Sequence, residues 1–175
     1  MSPLDHLREH LSKYGSLSFA DFMQQALYAP HWGYYTRNRS PLGASGDFIT
    51  APELTPLFGY TLAQQCEQVL QHLNQPLLFE FGAGSGTLCI DILTRLEQRH
   101  ALPETYHILE VSASLKALQK NNIQTKIPHL ADRVHWLSTW PEQPFEGVVI
   151  ANEVLDAMPV HRFLKTDHAL FESMI

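Results

Sequence analysis

Four short apolar runs alternate with stretches of helical periodicity between residues 77 and 151. They are "LLFEF" (77–81), "YHILEV" (106–111), "RVHWL" (133–137) and "GVVIA" (147–151). Between the first two, Leu88, Ile92, Leu93 and Leu96 recur at helical spacing. After the second, Ser112 stands as a cap before Leu115 and Leu118. A strand followed by a helix of this length returns the chain to the same end of a sheet, so the strands run parallel with right-handed crossovers. The expected fold class is α/β with a mostly parallel sheet.

The preceding residues read differently. Ser2, Pro3 and the face Leu4, Leu7 and Leu11 predict a helix that Gly15 stops. Ser18 and Asp21 hold cap-box positions for a second helix, with Phe22, Met23 and Leu27 inward and Pro30 at its end. Residues 31–50 read as a long loop anchored by Trp32, Tyr34 and Tyr35, and loops of that length are usually functional or disordered. Thr50 and Glu53 then form a capping box for one continuous helix, with an apolar stripe Leu54, Phe58, Leu62, Cys66, Val69 and Leu73. The expected division is an N-terminal helical appendage and lid loop over 1–50, and a sheet domain over 51–175.

Composition excludes some function classes. The 175 residues suffice for one sizeable core. A net charge of −6, with no Lys/Arg cluster, argues against a nucleic-acid partner. Cys66 and Cys89 lack C-x-x-C spacing and read as small buried residues in a reducing compartment. The ten histidines show no ligand spacing, so no metal is expected. No apolar run reaches membrane-spanning length, and the first residues resemble neither a signal nor a transit peptide. A cytoplasmic protein is the expectation.

The chemistry-bearing residues follow strand ends, where open parallel sheets bind ligands. Glu80-Phe81-Gly82-Ala83-Gly84-Ser85-Gly86 follows the first strand. The spacing is G-x-G-x-G. A dinucleotide fingerprint would need glycine where Thr87 stands, and a phosphate loop would need a lysine. Glu110 closes the second strand, where a carboxylate can accept both hydroxyls of a ribose. The pair implies a nucleoside-bearing ligand; a bare turn and a solvated strand end are the bland alternatives. After the fourth strand, Asn152, Glu153 and Asp156 can orient a substrate nitrogen, or simply cap a short helix. His161 is a candidate base or a structural histidine.

The form E-x-G-x-G-x-G resembles class I S-adenosylmethionine-dependent methyltransferases. "LSFADFMQQALYAPHWGYY", "GDFITAPELTPLFG", "FEFGAGSGTLCIDIL", "YHILEVSASLKALQ" and "VVIANEVLDAMPVHRF" are similar, in order, to motifs of the MidA-like methyltransferases. That family includes an arginine methyltransferase of mitochondria needed for respiratory complex I assembly. The resemblance implies a Rossmann-like class I sheet and S-adenosylmethionine as cofactor. Glu80 would hold its methionine end, Gly82, Ala83, Gly84 and Gly86 would pass close to it, and Glu110 with Val111 would take the ribose side. Gly46, Asp47, Phe48 and Thr50 would fold over the pocket. Asn152, Glu153 and Asp156 would orient a protein arginine, with a respiratory-complex subunit as one possible acceptor. Family members are about twice this long and class I sheets have seven strands, so the chain reads as an N-terminal fragment with its last strands missing. "VHRFLK" and "ALFESMI" read as a further hairpin. The competing readings are a non-enzymatic cofactor-binding assembly factor, a small-molecule methyltransferase using His161, and a nicotinamide oxidoreductase, which Thr87 disfavours.

Overall fold

In the computed structural model, β1 (Leu77–Phe81), β2 (Thr105–Leu109), β3 (Val134–Leu137) and β4 (Gly147–Ile150) form one sheet in the order β3-β2-β1-β4. All three pairings are parallel, as the alternation predicts. The structure describes residues 3–36, 47 and 49–175. They divide into two compact units: residues 3–36 with 155–175, and residues 47–154. The expected division at residue 50 therefore differs from the observed grouping, in which the tail belongs with the N-terminal helices.

In the sheet unit, α5 (Thr87–Gln98) and α6 (Ala113–Lys126) are the crossovers. Alternation sends Leu78, Glu80, Tyr106, Ile108, Val134 and Ile150 toward one face. There all but Glu80 pack with Ala63, Cys66, Leu88, Ile92, Leu93, Leu96 and Ile123 in one buried hydrophobic cluster. Each large aliphatic side chain fully buried there contributes roughly 1.5–3 kcal/mol. Burial pushes the Cys66 thiol up to about 11, so it behaves as the apolar residue expected. On the opposite face Phe79 and Phe81 meet Trp140 and Phe145, with Phe81 stacked on Trp140 at 5.6 Å. Glycine is required at the start of β4: a Cβ on Gly147 would lie 2.0 Å from the Leu77 carbonyl oxygen.

The helix before β1 departs from expectation. It is broken into α3 (Ala51–Leu54) and α4 (Pro56–Leu70) by an extended Thr55, φ −163°. Pro56 explains the break, because a residue preceding proline is pushed out of the helical region. Thr55 becomes the cap of α4, accepting from Leu57 N at 3.3 Å. Thr50 makes no side-chain cap bond, so the Thr50–Glu53 capping box does not form. The buried stripe of α4 is Gly59, Ala63, Cys66 and Leu70, while Leu54 and Val69 face solvent.

In the other unit, α1 (Pro3–Tyr14) and α2 (Phe19–Tyr28) begin and end where capping signals place them, and Ser18 accepts from Asp21 N at 3.1 Å. Leu4 is exposed, so the α1 face narrows to Leu7 and Leu11. β5 (Phe163–Lys165) and β6 (Leu170–Glu172) form the antiparallel hairpin expected. Leu17 and Ile175 exchange backbone hydrogen bonds of 3.2 and 2.8 Å, tying the tail to the α1–α2 connection.

Candidate functional site

The strand order places a switch between β1 and β4: from β1 the chain first winds outward through β2 and β3, then returns to the other side. Crevices at such points, beyond the carboxyl ends, are where open α/β sheets bind ligands. The glycine loop leaves β1 there. Gly82, Gly84 and Gly86 have φ of +55°, +56° and +86°, a conformation that costs other L-residues about 1–2 kcal/mol each. Two backbone bonds hold the loop: Gly82 N donates to Leu109 O at the end of β2 at 3.0 Å, and Gly86 N to Ala83 O within the loop at 2.7 Å. Gly86 is the N-cap residue of α5, so the loop ends at a helix N-terminus that favours negative charge. Ala83 is buried between the glycines.

Glu80 lies beneath this loop, 2% exposed. Burial pushes its carboxyl up to about 7; the Tyr106 hydroxyl, donating over 2.8 Å, opposes the rise, and Glu110 adds to it. Tyr106 was missed in the sequence because a tyrosine in an apolar run looks like ordinary strand core.

Glu110 lies one residue beyond β2, and Val111 after it is exposed. Glu110 Oε1 accepts from Ser112 N at 2.8 Å and Oε2 from Gln119 Nε2 at 2.9 Å. Burial raises its pKa, while bonds from Ser112, Gln119 and Val111 act to lower it. A carboxylate has about four lone-pair sites, so acceptor capacity remains. Gln119 also donates to Gly84 O at 3.0 Å and accepts from Trp136 Nε1 at 2.9 Å. Asn122 Nδ2 donates to Ser85 O at 2.9 Å. The signal for Gln119 was present in the sequence: it is the polar member of the buried series Leu115, Gln119 and Ile123.

Glu53 is a second residue that sequence reasoning misplaced. Its carboxylate accepts from the Ser85 hydroxyl instead of closing a capping box. Ser85 in turn bonds Thr87 Oγ1 at 2.7 Å and accepts from Thr87 N at 3.2 Å. α3 is thereby fastened to the glycine loop. Thr50 precedes α3 and Asp47 is exposed. Gly46 and Phe48 lie outside the described residues.

After β4, Asn152 is half-buried and Glu153 is exposed with φ +52°. A left-handed glutamate is uncommon, and strained residues cluster at functional sites. A Cβ added to Gly82 would touch Val154 at 3.8 Å, which brings the β4 turn beside the glycine loop. Asp156 belongs to the other unit, in the single 3-10 turn Leu155–Ala157. There it lies near Tyr35, whose hydroxyl is pushed up by burial first and by Asp156 second. Tyr35 stacks on Tyr28 at 5.7 Å and meets Tyr34 edge-on at 5.1 Å. His161 pairs with Glu172 across the hairpin at 2.7 Å, in the open.

The chain is similar to several known proteins. A family model described as S-adenosyl-L-methionine-dependent methyltransferase matches residues 61–175. Protein arginine methyltransferase NDUFAF7, mitochondrial, of Danio rerio is 32% identical over 99% of this chain and 46% of its own length. The Bos taurus protein of the same name is 32% identical over 98% of this chain and 44% of its own. A crystal structure of a Burkholderia thailandensis protein bound to S-adenosyl-homocysteine matches with a TM-score of 0.87 and 39% identity, over 97% of this chain and 45% of that one. The chain thus spans about half the length of the curated relatives it matches. The expectation of a cytoplasmic protein does not stand, because these curated relatives are mitochondrial by name. Charge and the lack of an apolar span constrain solubility, whereas compartment is set by address signals read by receptors.

Proposed function

Because the chain belongs to the family of S-adenosyl-L-methionine-dependent methyltransferases, we propose that it forms the cofactor-binding part of an enzyme that methylates a protein arginine. The observation that carries the reading is the alignment of three left-handed glycines after β1 with the Glu110 carboxylate after the neighbouring β2. The residues fit that cofactor. The loop offers backbone with few side chains, and Glu110, bonded by Ser112, Gln119 and Val111, keeps about one of its four acceptor sites for a ribose hydroxyl.

When bound, S-adenosylmethionine supplies a methyl group made electrophilic by its sulfonium. The chain's own work is orientation. Glu80 helps to hold the methionine end, and Gly82, Ala83, Gly84 and Gly86 let the ligand approach the backbone. Glu110 and Val111 hold and border the nucleoside. Asp47 and Thr50, among the described residues before α3, border the cofactor. Asn152 and Glu153 after β4 are the candidates to orient the acceptor, and Asp156 of the other unit is a further candidate for that role. A guanidinium has a pKa above about 12, so carboxylates must fix its plane and balance its charge. In-line positioning of that nitrogen is the main source of rate.

Two measurements test the proposal. Calorimetric titration with S-adenosyl-homocysteine should show saturable heat that Gly84→Val abolishes. Radiolabelled methyl transfer to arginine peptides and isolated respiratory-complex subunits should leave label on arginine. Binding without labelled acceptor would favour a scaffold, and label on a small molecule or on lysine would overturn the acceptor assignment.

A further inference from the structure

Gln119 occupies a position where an apolar residue would pack at no polar cost. It lies between Leu115 and Ile123 on the buried face of α6 and is wholly inaccessible to solvent. A buried amide costs several kcal/mol unless it is paired. Here every strong group is used: Nε2 donates to Gly84 O at 3.0 Å and to Glu110 Oε2 at 2.9 Å, and Oε1 accepts from Trp136 Nε1 at 2.9 Å. Turning the amide over would set its oxygen against a carbonyl and a carboxylate, and its NH₂ against an indole N–H. The orientation is therefore unambiguous.

The three partners belong to three places: the loop after β1, the end of β2, and β3 itself. We propose that Gln119 is a positioning residue for the nucleoside end of the cofactor site, holding the Glu110 carboxylate and the Gly84 carbonyl at one spacing, with Trp136 as its brace. The inference rests on the methyltransferase reading. Ser112 N donates to Glu110 Oε1 at 2.8 Å and Gln119 Nε2 to Oε2 at 2.9 Å, so the carboxylate cannot rotate and its remaining acceptor site keeps one direction. Asn122, one turn further along α6, holds Ser85 O at 2.9 Å, and the Gln119 side chain lies 3.5 Å from where a Cβ of Gly86 would stand. One helix face thus sets both the glycine loop and the acid that reads the ribose.

The test compares the affinities of the intact protein for S-adenosyl-homocysteine and for its 2′,3′-dideoxy analogue, by calorimetry. The parent should prefer the diol by at least about tenfold, the value of one charge-assisted hydrogen bond. Gln119→Leu should shrink that ratio to below about threefold, because the released carboxylate no longer faces the diol. Trp136→Phe keeps the ring but removes the brace, and should give an intermediate ratio; it decides the matter if Gln119→Leu does not fold. A lowered melting temperature with an unchanged ratio would overturn the inference and leave Gln119 as a core amide. A parent that binds no S-adenosyl-homocysteine would overturn the methyltransferase reading and this inference together.

Discussion

The Tyr106 hydroxyl donates to the Glu80 carboxylate at 2.8 Å, between two neighbouring parallel strands and out of contact with water. The bond satisfies a buried acid directly below the glycine loop, and burial still lifts that acid to about 7 from an ordinary 4.5. Between these pH values the folded state holds more protons than the unfolded state, so stability falls as pH rises. The stability present below pH 4.5 is lost by about pH 7, a difference on the order of 3 kcal/mol. Urea unfolding midpoints should therefore drop across this window in the parent and stay flatter in Glu80→Gln. Equal slopes would show that Glu80 titrates normally.

Gly147→Ala should prevent the sheet from closing. The added Cβ would meet backbone, the Leu77 carbonyl oxygen at 2.0 Å, and backbone cannot yield as a flexible side chain can. A loss of about 3 kcal/mol or more is expected, visible as a lowered thermal midpoint. A midpoint within a degree or two of the parent would mean that β4 sits further from β1.

Glu153 should show opposed effects on stability and activity. Glu153→Gly relieves the left-handed strain at φ +52°, worth about 1–2 kcal/mol, which offsets glycine's entropy cost of about 0.5–1 kcal/mol. The variant should melt no earlier than the parent. Methyl transfer to an arginine peptide should fall at least about tenfold, as it should in Glu153→Gln and Asp156→Asn, since a charged hydrogen bond to the guanidinium is lost. Unchanged transfer in all three would remove both carboxylates from the acceptor site.

Asp47→Ala should weaken S-adenosyl-homocysteine binding severalfold, read by calorimetric titration against the parent. Unaltered affinity would return this loop to packing.

Much of the sheet was legible because its signals are local. Strands β1, β3 and β4 stand within a residue of the apolar runs that predict them, and Ser18 and Ser112 cap the helices they precede. The break at Thr55 was also written in the sequence, in Pro56, but a continuous apolar periodicity concealed it. Leu54 and Val69 fit that periodicity and yet face solvent, since periodicity does not say which side of a helix has a neighbour.

The sequence by itself determined the α/β alternation, the glycine loop, the acid after β2 and the polar residues after β4. Each depends on backbone preferences and on side-chain alternation within a few residues. Tertiary structure alone decided that Glu53 reaches Ser85 instead of capping its own helix, and that Tyr106 holds Glu80. It also decided that Gln119 joins Glu110, Gly84 and Trp136. These contacts span up to 35 residues of chain. A buried polar group must take whichever partner the packed strands and helices bring within hydrogen-bond reach, and no local pattern encodes that choice.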